Sequence, residues 1–436
     1  MIRIERDSFI KIGIVILLFI AFFIGLQERY SYIKAAYTGL QIIAVLCILV
    51  SERYISRNQH NMPIIALLCI IIILCNRNAR ISHGSLALDS RICTAFIVYF
   101  LACRRTNWYN TLIKSLIVLG AFYGITTIYL YIFPEAYTRY VVPLFGTGME
   151  GIFQKGYVVG FSRHFSTTAI YHAVTLGVSI CIFVKKNLFD RRQKILLLTL
   201  SIIIYIGVLL TGKRAHSIFI PISVIICYYF FSSDRKINNN IKVLGGILVF
   251  LGIFYIGTQI IPSLNNVLIR FQIKMERGDI TSGRNYILQD CESMFLDNPL
   301  IGKGWGTFTY YTHTGVQNAH NVYAQLLAEN GLILSIPFFA FIIGSIVHTT
   351  KAIHVITIEK RKIHTSFFVS LIFSLYIQIF FVFYCFTGNP LYDFQYVLPY
   401  MLGCAIGENA YSTFVACDLK DMELKSWKTI RSELNE

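Results

Sequence analysis

What this chain of 436 residues has little of is charge, and acid above all: Lys and Arg number 39, Asp and Glu only 23, and charged residues make up 14% of the total. A soluble domain carries about 25%. With 55% hydrophobic residues and a mean hydropathy of +0.60, the chain is expected to be a polytopic membrane protein. A formal net charge of +16 would suggest nucleic acid as the partner of a soluble protein. Here the cations stand in short blocks between apolar runs, and no basic face with interleaved aromatics survives once those runs are set aside, which excludes nucleic acid. Metal-ligand spacing is missing too. Nine of the 11 cysteines lie in or against apolar runs, as small hydrophobes do, and none pairs at zinc-site spacing. His83, His164, His216, His313 and His320 show no spacing with carboxylates either. No metal and no cofactor are therefore expected. The first apolar run has no small-residue cleavage site and reads as a retained span. Fixed-period repeats, heptads and low-complexity tracts are all lacking.

What is there is a series of apolar runs. A span takes about 20 mainly apolar residues, and about twelve candidates occur: residues 8–26, 33–51, 63–75, 85–103, 111–133, 167–184, 195–211, 216–231, 243–260, 332–350, 366–386 and 394–407. The third and the last are the weakest. This pattern implies one all-α integral membrane domain over 1–436, with a smaller loop at 134–166, a large loop at 261–331 and a tail at 408–436. Placing the N-terminus in the cytoplasm puts Arg53, Arg57, Arg104, Arg105, the cations of 185–194, Arg235, Lys236, Lys242, those of 351–362 and those of the tail on the cytoplasmic side. That is the bias of the positive-inside rule, and it sends both large loops outside with both termini inside. Arg77 and Arg80 are exceptions.

Chemistry is expected in the polar stretch 281–331. Ser282 is a fair N-cap, which places Arg284 in the first turn of an amphipathic helix with Ile287, Cys291 and Met294 on one face, stopped by Asn298-Pro299. A cation in a first turn opposes the helix dipole, which hints at a partner anion. Gly302, Gly304 and Gly306 alternate with Lys303 and Trp305; the spacing is that of neither a Rossmann fingerprint nor a P-loop, and it suits a tight turn. Trp305, Phe308, Tyr310 and Tyr311 would then form an aromatic surface, for a sugar ring or for the lipid interface. Asn318 can cap a helix that carries His320 in its first turn, where an imidazole is a candidate general base. Far upstream, Lys213 and Arg214 separate two strongly apolar runs on the outer side. Two readings stand side by side: cations that snorkel to lipid phosphates, or a fixed pair for a pyrophosphate carried at the membrane surface. Arg163 is another cation at the end of the smaller loop.

The arrangement resembles the O-antigen polymerase and ligase superfamily of bacterial surface-polysaccharide enzymes. The resemblance rests on LLTGKRA at the end of an apolar run, then SGR, then N-P-L-I-G-x-G-x-G-x-F, then A-H-N-x-Y-x-Q-x-L-A-E-x-G, and covers mainly 161–331. The family often has Ser-Arg where this chain has Lys213-Arg214, and an asparagine-rich turn where it reads SRHFSTT. The resemblance implies a fold like the membrane-embedded (GT-C type) glycosyltransferases in the bacterial cytoplasmic membrane. It also implies joining of undecaprenyl-pyrophosphate-linked glycans on the outer face without a nucleotide sugar or a metal. Arg214 and Arg284 would hold the pyrophosphate, and His320 would orient or deprotonate the acceptor hydroxyl. Lys213, Arg163, Asn321, Tyr323 and Trp305 would line the substrate, with a flippase and a chain-length regulator as partners. A polymerase is the leading expectation and a ligase its sibling. A transporter is the reading from another class; it fits the span count, but the chain has no internal repeat and no matching pair of broken spans.

Overall fold

The computed structural model describes residues 6–51, 61–77, 86–146, 157–184, 188–232, 284–313, 315–358 and 364–416, with a few isolated positions between 233 and 283. The expected span 243–260, the N-cap Ser282, Arg80 and most of the tail lie outside these residues. The described structure is nearly all helix: α1 (Arg6–Phe22), α2 (Ser31–Ser51), α3 (Asn61–Cys75), α4 (Leu86–Ala102), α5 (Tyr109–Ile132), α6 (Phe165–Ser179), α7 (Arg191–Leu210), α8 (Arg214–Phe231), α9 (Arg284–Asp297), α10 (Val322–Ile358), α11 (Thr365–Cys385) and α12 (Phe394–Tyr411).

Eleven of the expected spans coincide with a described helix, yet only seven described helices are long and apolar enough to cross a membrane. In helices α1, α3 and α4 the described residues number 17, 15 and 17, a described length that at 1.5 Å per residue is short of a hydrocarbon core of about 30 Å. Helix α12 carries Gln395, Glu408 and Asn409. It also runs on to Tyr411, past the expected start of the tail at 408.

Apolar composition alone cannot rank these helices as inner or outer, and burial does. Of the 18-residue apolar window in Phe165–Val184, 89% is covered by protein, and 78% in Thr365–Cys385, against 22% in Tyr32–Ser51. Helices α6, α11 and α12 are thus the centre of the bundle. Helix α11 lies along α12, α12 along α4 and α10, and α6 along α5 and α7. Helices α2, α7 and α10 show apolar flanks to the surroundings, with Ile42, Leu46, Ile195, Ile202 and Ile343 all exposed.

The glycine-rich segment folds onto the start of α10. Gly302 and Gly331 both have left-handed backbones, at φ +70° and +63°, and their main chains touch. A Cβ at Gly302 would collide with the backbone of Glu329 and Asn330, and one at Gly331 with that of Leu300 and Ile301. Two motifs far apart in their spacing are therefore two halves of one contact. Lys303 N donates to Ala328 O (3.1 Å), Gly304 N to Glu329 O (2.7 Å) and Trp305 N to Asn76 O (2.8 Å). Gly302→Ala is expected to cost about 2 kcal/mol through the left-handed backbone and the forced separation, read as faster proteolytic nicking of the 302–331 contact.

Arg77 is explained by the same knot. Its Nε pairs with Asp89 at 2.7 Å, and Trp305 Nε1 donates to the other oxygen of Asp89 at 3.2 Å. An arginine that breaks the charge bias along the chain is here a brace between the start of α4 and the loop.

Candidate functional site

Two helix starts bring the cations together. Between α7 and α8, Gly212 turns with φ +67°, which reverses the chain without a Cβ to clash. Lys213 follows as the residue flanking α8, and Arg214 is the first residue of that helix. Arg284 is likewise the first residue of α9. Helix starts carry free N–H groups and the positive end of the dipole, so a cation at each is unfavourable until an anion arrives.

The electrostatics join these groups into one neighbourhood. Lys213 is half-buried, and its ammonium is lowered to about 8 by burial and then by Arg284, with Asp393 acting the other way. Arg284 is lowered by burial, and Arg214 lowers it further. Asp393 is raised to about 7 by burial, against the pull of Lys213. Burial, Arg284 and Lys213 together lower His320 to about 4, so its imidazole is neutral at neutral pH. Lys213 Nζ also stands 5.3 Å above the ring of Phe165, the residue after His164.

The smaller loop supplies the other wall. Val158 N donates to Leu210 O at 3.2 Å, and Tyr157 stacks on Phe165 with ring centres 4.5 Å apart. His164 flanks α6 and caps it, its Nδ1 accepting from Ser166 N at 3.1 Å. Burial, then Lys213 and Arg163, lowers the His164 imidazole to about 4. Arg163 is exposed and belongs to this wall.

His320 differs from expectation in one respect. It does not lie in the first turn of α10, which begins at Val322. The cap is Asn321, whose Oδ1 accepts from Ala324 N at 3.1 Å, while Asn318 binds Gln325 Nε2 at 3.3 Å. His320 precedes the cap with φ +53°, the positive-φ non-glycine residue among those described. Such a backbone costs of order 1 kcal/mol and persists where surrounding structure imposes it. It brings His320 Nδ1 to the Asn389 side-chain amide at 3.2 Å. The atom that faces the ring is the amide nitrogen, so Asn389 Nδ2–H donates, Nδ1 accepts, and the neutral ring carries its proton on Nε2.

Three expected substrate residues have structural contacts of their own. Trp305 is 1% exposed and lies flat between Phe338 (5.7 Å) and Tyr392 (5.0 Å). It fastens the loop to the bundle and presents no open face, and Phe308 is buried as well; of the four expected platform aromatics, Tyr310 is exposed and Tyr311 half-buried. Tyr323 donates its hydroxyl to Val382 O at 3.0 Å, and its ring meets Phe386 at 4.8 Å. Asn321 is the helix cap just described.

Asp393 and Asn389 were not singled out among the candidate residues. They come from the connection between α11 and α12, some seventy residues beyond His320, and nothing in their local spacing marks them. The grouping can hold an anion with three or four cations on one side, offer a neutral imidazole beside it, and adjust its net charge through Asp393 near neutral pH. Among the described residues no cluster of His, Cys, Asp and Glu could hold a metal ion.

Residues 195–339 match the family model described as O-antigen ligase. That stretch contains Lys213, Arg214, Arg284, the glycine-rich segment and His320, and the match supports the resemblance to the O-antigen ligase and polymerase superfamily drawn from those motifs. Arg163, His164, Asn389 and Asp393 lie outside it. No curated protein matches the chain.

Proposed function

We propose that the chain transfers a glycan from an undecaprenyl-pyrophosphate-linked donor to a second lipid-linked repeat unit, on the outer face of the bacterial cytoplasmic membrane. The observation that carries this reading is the gathering of Lys213, Arg214 and Arg284 at two helix starts, with a neutral His320 beside them. A membrane-borne pyrophosphate is the anion that suits such a site. Guanidinium groups bind it in bidentate fashion and neutralise the charge that grows as the glycosyl–oxygen bond breaks. The acceptor hydroxyl attacks the anomeric carbon from the face opposite the pyrophosphate, and the configuration there inverts. The bond from that carbon to the phosphate oxygen breaks, and its electron pair leaves on the pyrophosphate. The hydroxyl proton passes to the neutral imidazole of His320, whose lone pair is on Nδ1. Arg163 and His164 lie on the wall that would meet the rest of the substrate.

The membrane topology follows the same reading: termini in the cytoplasm, and the 281–331 stretch outside. A fold akin to the membrane-embedded glycosyltransferases, a flippase that delivers the donor and a chain-length regulator belong to this proposal. The ligase is the second reading, favoured by the description of the matching family. The experiment is transfer by the purified protein in lipid discs. Lipid-linked repeat units alone should give longer lipid-linked glycans if it is a polymerase. Product that forms only when a lipid-A core or other terminal acceptor is added identifies the ligase. No transfer under either condition, with donor bound, contradicts both.

A pH dependence follows from the two groups that titrate near neutrality. Lys213 gains its charge as pH falls through about 8, and Asp393 loses its negative charge as pH falls through about 7. Both changes make the site more positive at lower pH. Affinity for a prenyl pyrophosphate should therefore rise by roughly tenfold from about pH 9 to about pH 6, the order of one charge-assisted hydrogen bond. In Asp393→Asn the lower part of that rise should disappear, as calorimetric titration across this range would show.

A further inference from the structure

Residues 296–301, the corner that follows α9, expose Leu296 (67%), Leu300 (59%) and Ile301 (54%). Asn298 and Pro299 between them are exposed as well. A corner of this composition on a water-facing loop would leave a contiguous apolar patch in solvent. Its backbone is arranged for a different surrounding. Asn298 N donates to Phe295 O (3.1 Å), Gly302 N to Asn298 O (2.9 Å), Leu332 N to Pro299 O (2.8 Å) and Ile333 N to Leu300 O (3.0 Å). Pro299 has no N–H to satisfy. The one acid of the corner, Asp297, is neutralised by Lys303 at 2.9 Å. The carbonyls of Asn298, Pro299 and Leu300 and the charge of Asp297 are thus paired within the protein, which lowers the cost for a non-helical turn of entering hydrocarbon, where no water replaces a missing partner.

The neighbouring helix says which face this is. Leu332 and Ile333, the residues that bind the corner, are 53% and 52% exposed, and Ile336 (55%) and Ile343 (63%) continue along the same helix. Spacings of three, four and seven residues keep these side chains on one flank of α10, a helix long and apolar enough to cross a membrane. The exposed corner thus prolongs the lipid-facing flank of α10 beyond its kink at Gly331.

We propose that residues 296–301 are seated among the acyl chains of the leaflet on the loop side, and form a membrane anchor for the loop. The occupant is bulk lipid. The anchor fixes the height of α9, and with it the height of Arg284, relative to the membrane surface. This inference rests on the exposed flank and the paired backbone, and it stands whether the protein is a polymerase, a ligase or neither.

The test places a tryptophan at the corner of the full chain in lipid discs, as Leu300→Trp and, separately, Ile301→Trp. Both sites are open, so the added ring meets no packed neighbour. An unchanged elution profile and helical circular dichroism establish folding, and the emission of the unsubstituted chain is subtracted. With phospholipids brominated near the top of the acyl chain, the added emission should be largely lost. Aqueous iodide should leave it nearly unchanged. Emission insensitive to brominated lipid overturns the anchor: quenching by iodide in its place would show a corner in water, and resistance to both would show one covered by protein, a second copy of the chain included.

Discussion

Arg284→Ala should lower glycosyl transfer by about 10²–10³-fold, the range found when one preorganised donor to a developing anion is removed. The fold should survive, because Arg284 is half-buried at the start of α9 and the helix is held farther along by the buried Ile287, Cys291 and Met294. Arg284→Lys should recover only part of the rate, since an ammonium keeps the charge and loses the planar fork. Arg214→Ala should behave alike. The check is a single-turnover assay with saturating donor, paired with a thermal unfolding midpoint that stays in place. Full activity in Arg284→Ala would remove it from the site.

The largest effect on stability is expected at Glu329. Its carboxylate is fully buried and gathers the loop around itself. Phe308 N donates to Oε1 at 3.2 Å, Gln325 Nε2 to Oε1 at 3.0 Å and Tyr392 hydroxyl to Oε2 at 3.0 Å, and the N–H of Gly306 also donates to it. Glu329→Ala leaves four donors without an acceptor at a cost of roughly 3–5 kcal/mol, because each buried orphan forfeits its solvation. The loss should be local. Hydrogen exchange should accelerate at 302–331 while α11 and α12 keep their protection. Glu329→Gln retains an acceptor for the backbone donors and should cost far less. Equal exchange in the two variants would contradict this role.

How much of this was legible along the chain depends on the length scale of the cause. The buried face of α9 was readable because Ile287, Cys291 and Met294 recur at helical spacing, and the helix ends at Asn298-Pro299 as expected. Helix locations were readable for the same reason; their membrane-crossing capacity was not, because two or three residues decide whether a helix is long enough. The cap of α10 was placed three residues early, since Asn318 and Asn321 are equally good caps in isolation and only the turn at His320 separates them. Trp305 was read as a surface residue because its neighbours are glycines, and what buries it is Tyr392, almost ninety residues on. Nothing local marks Glu329, because its donors come from the preceding loop and from Tyr392. Asn389 reaches His320 and Asp393 reaches Lys213 from the connection between α11 and α12, a relation between distant segments that no local spacing encodes.

The cations of the polar stretch group with Lys213 because that stretch is tied down at several points. Gly302 and Gly331 lock the loop onto α10, Asp89 and Trp305 tie it to α4, and Arg284 and His320 stand within electrostatic reach of Lys213. The central claim is that this grouping receives the pyrophosphate of a lipid-linked donor. Its most direct measurement is binding of undecaprenyl pyrophosphate against undecaprenyl monophosphate to the protein in lipid discs, by calorimetry, for the natural chain and for Arg214→Ala/Arg284→Ala. The account predicts tighter binding of the pyrophosphate by about tenfold or more, with the preference lost in the double variant. Equal affinity for the two lipids in the natural chain, or a preference that the double variant keeps, would contradict it.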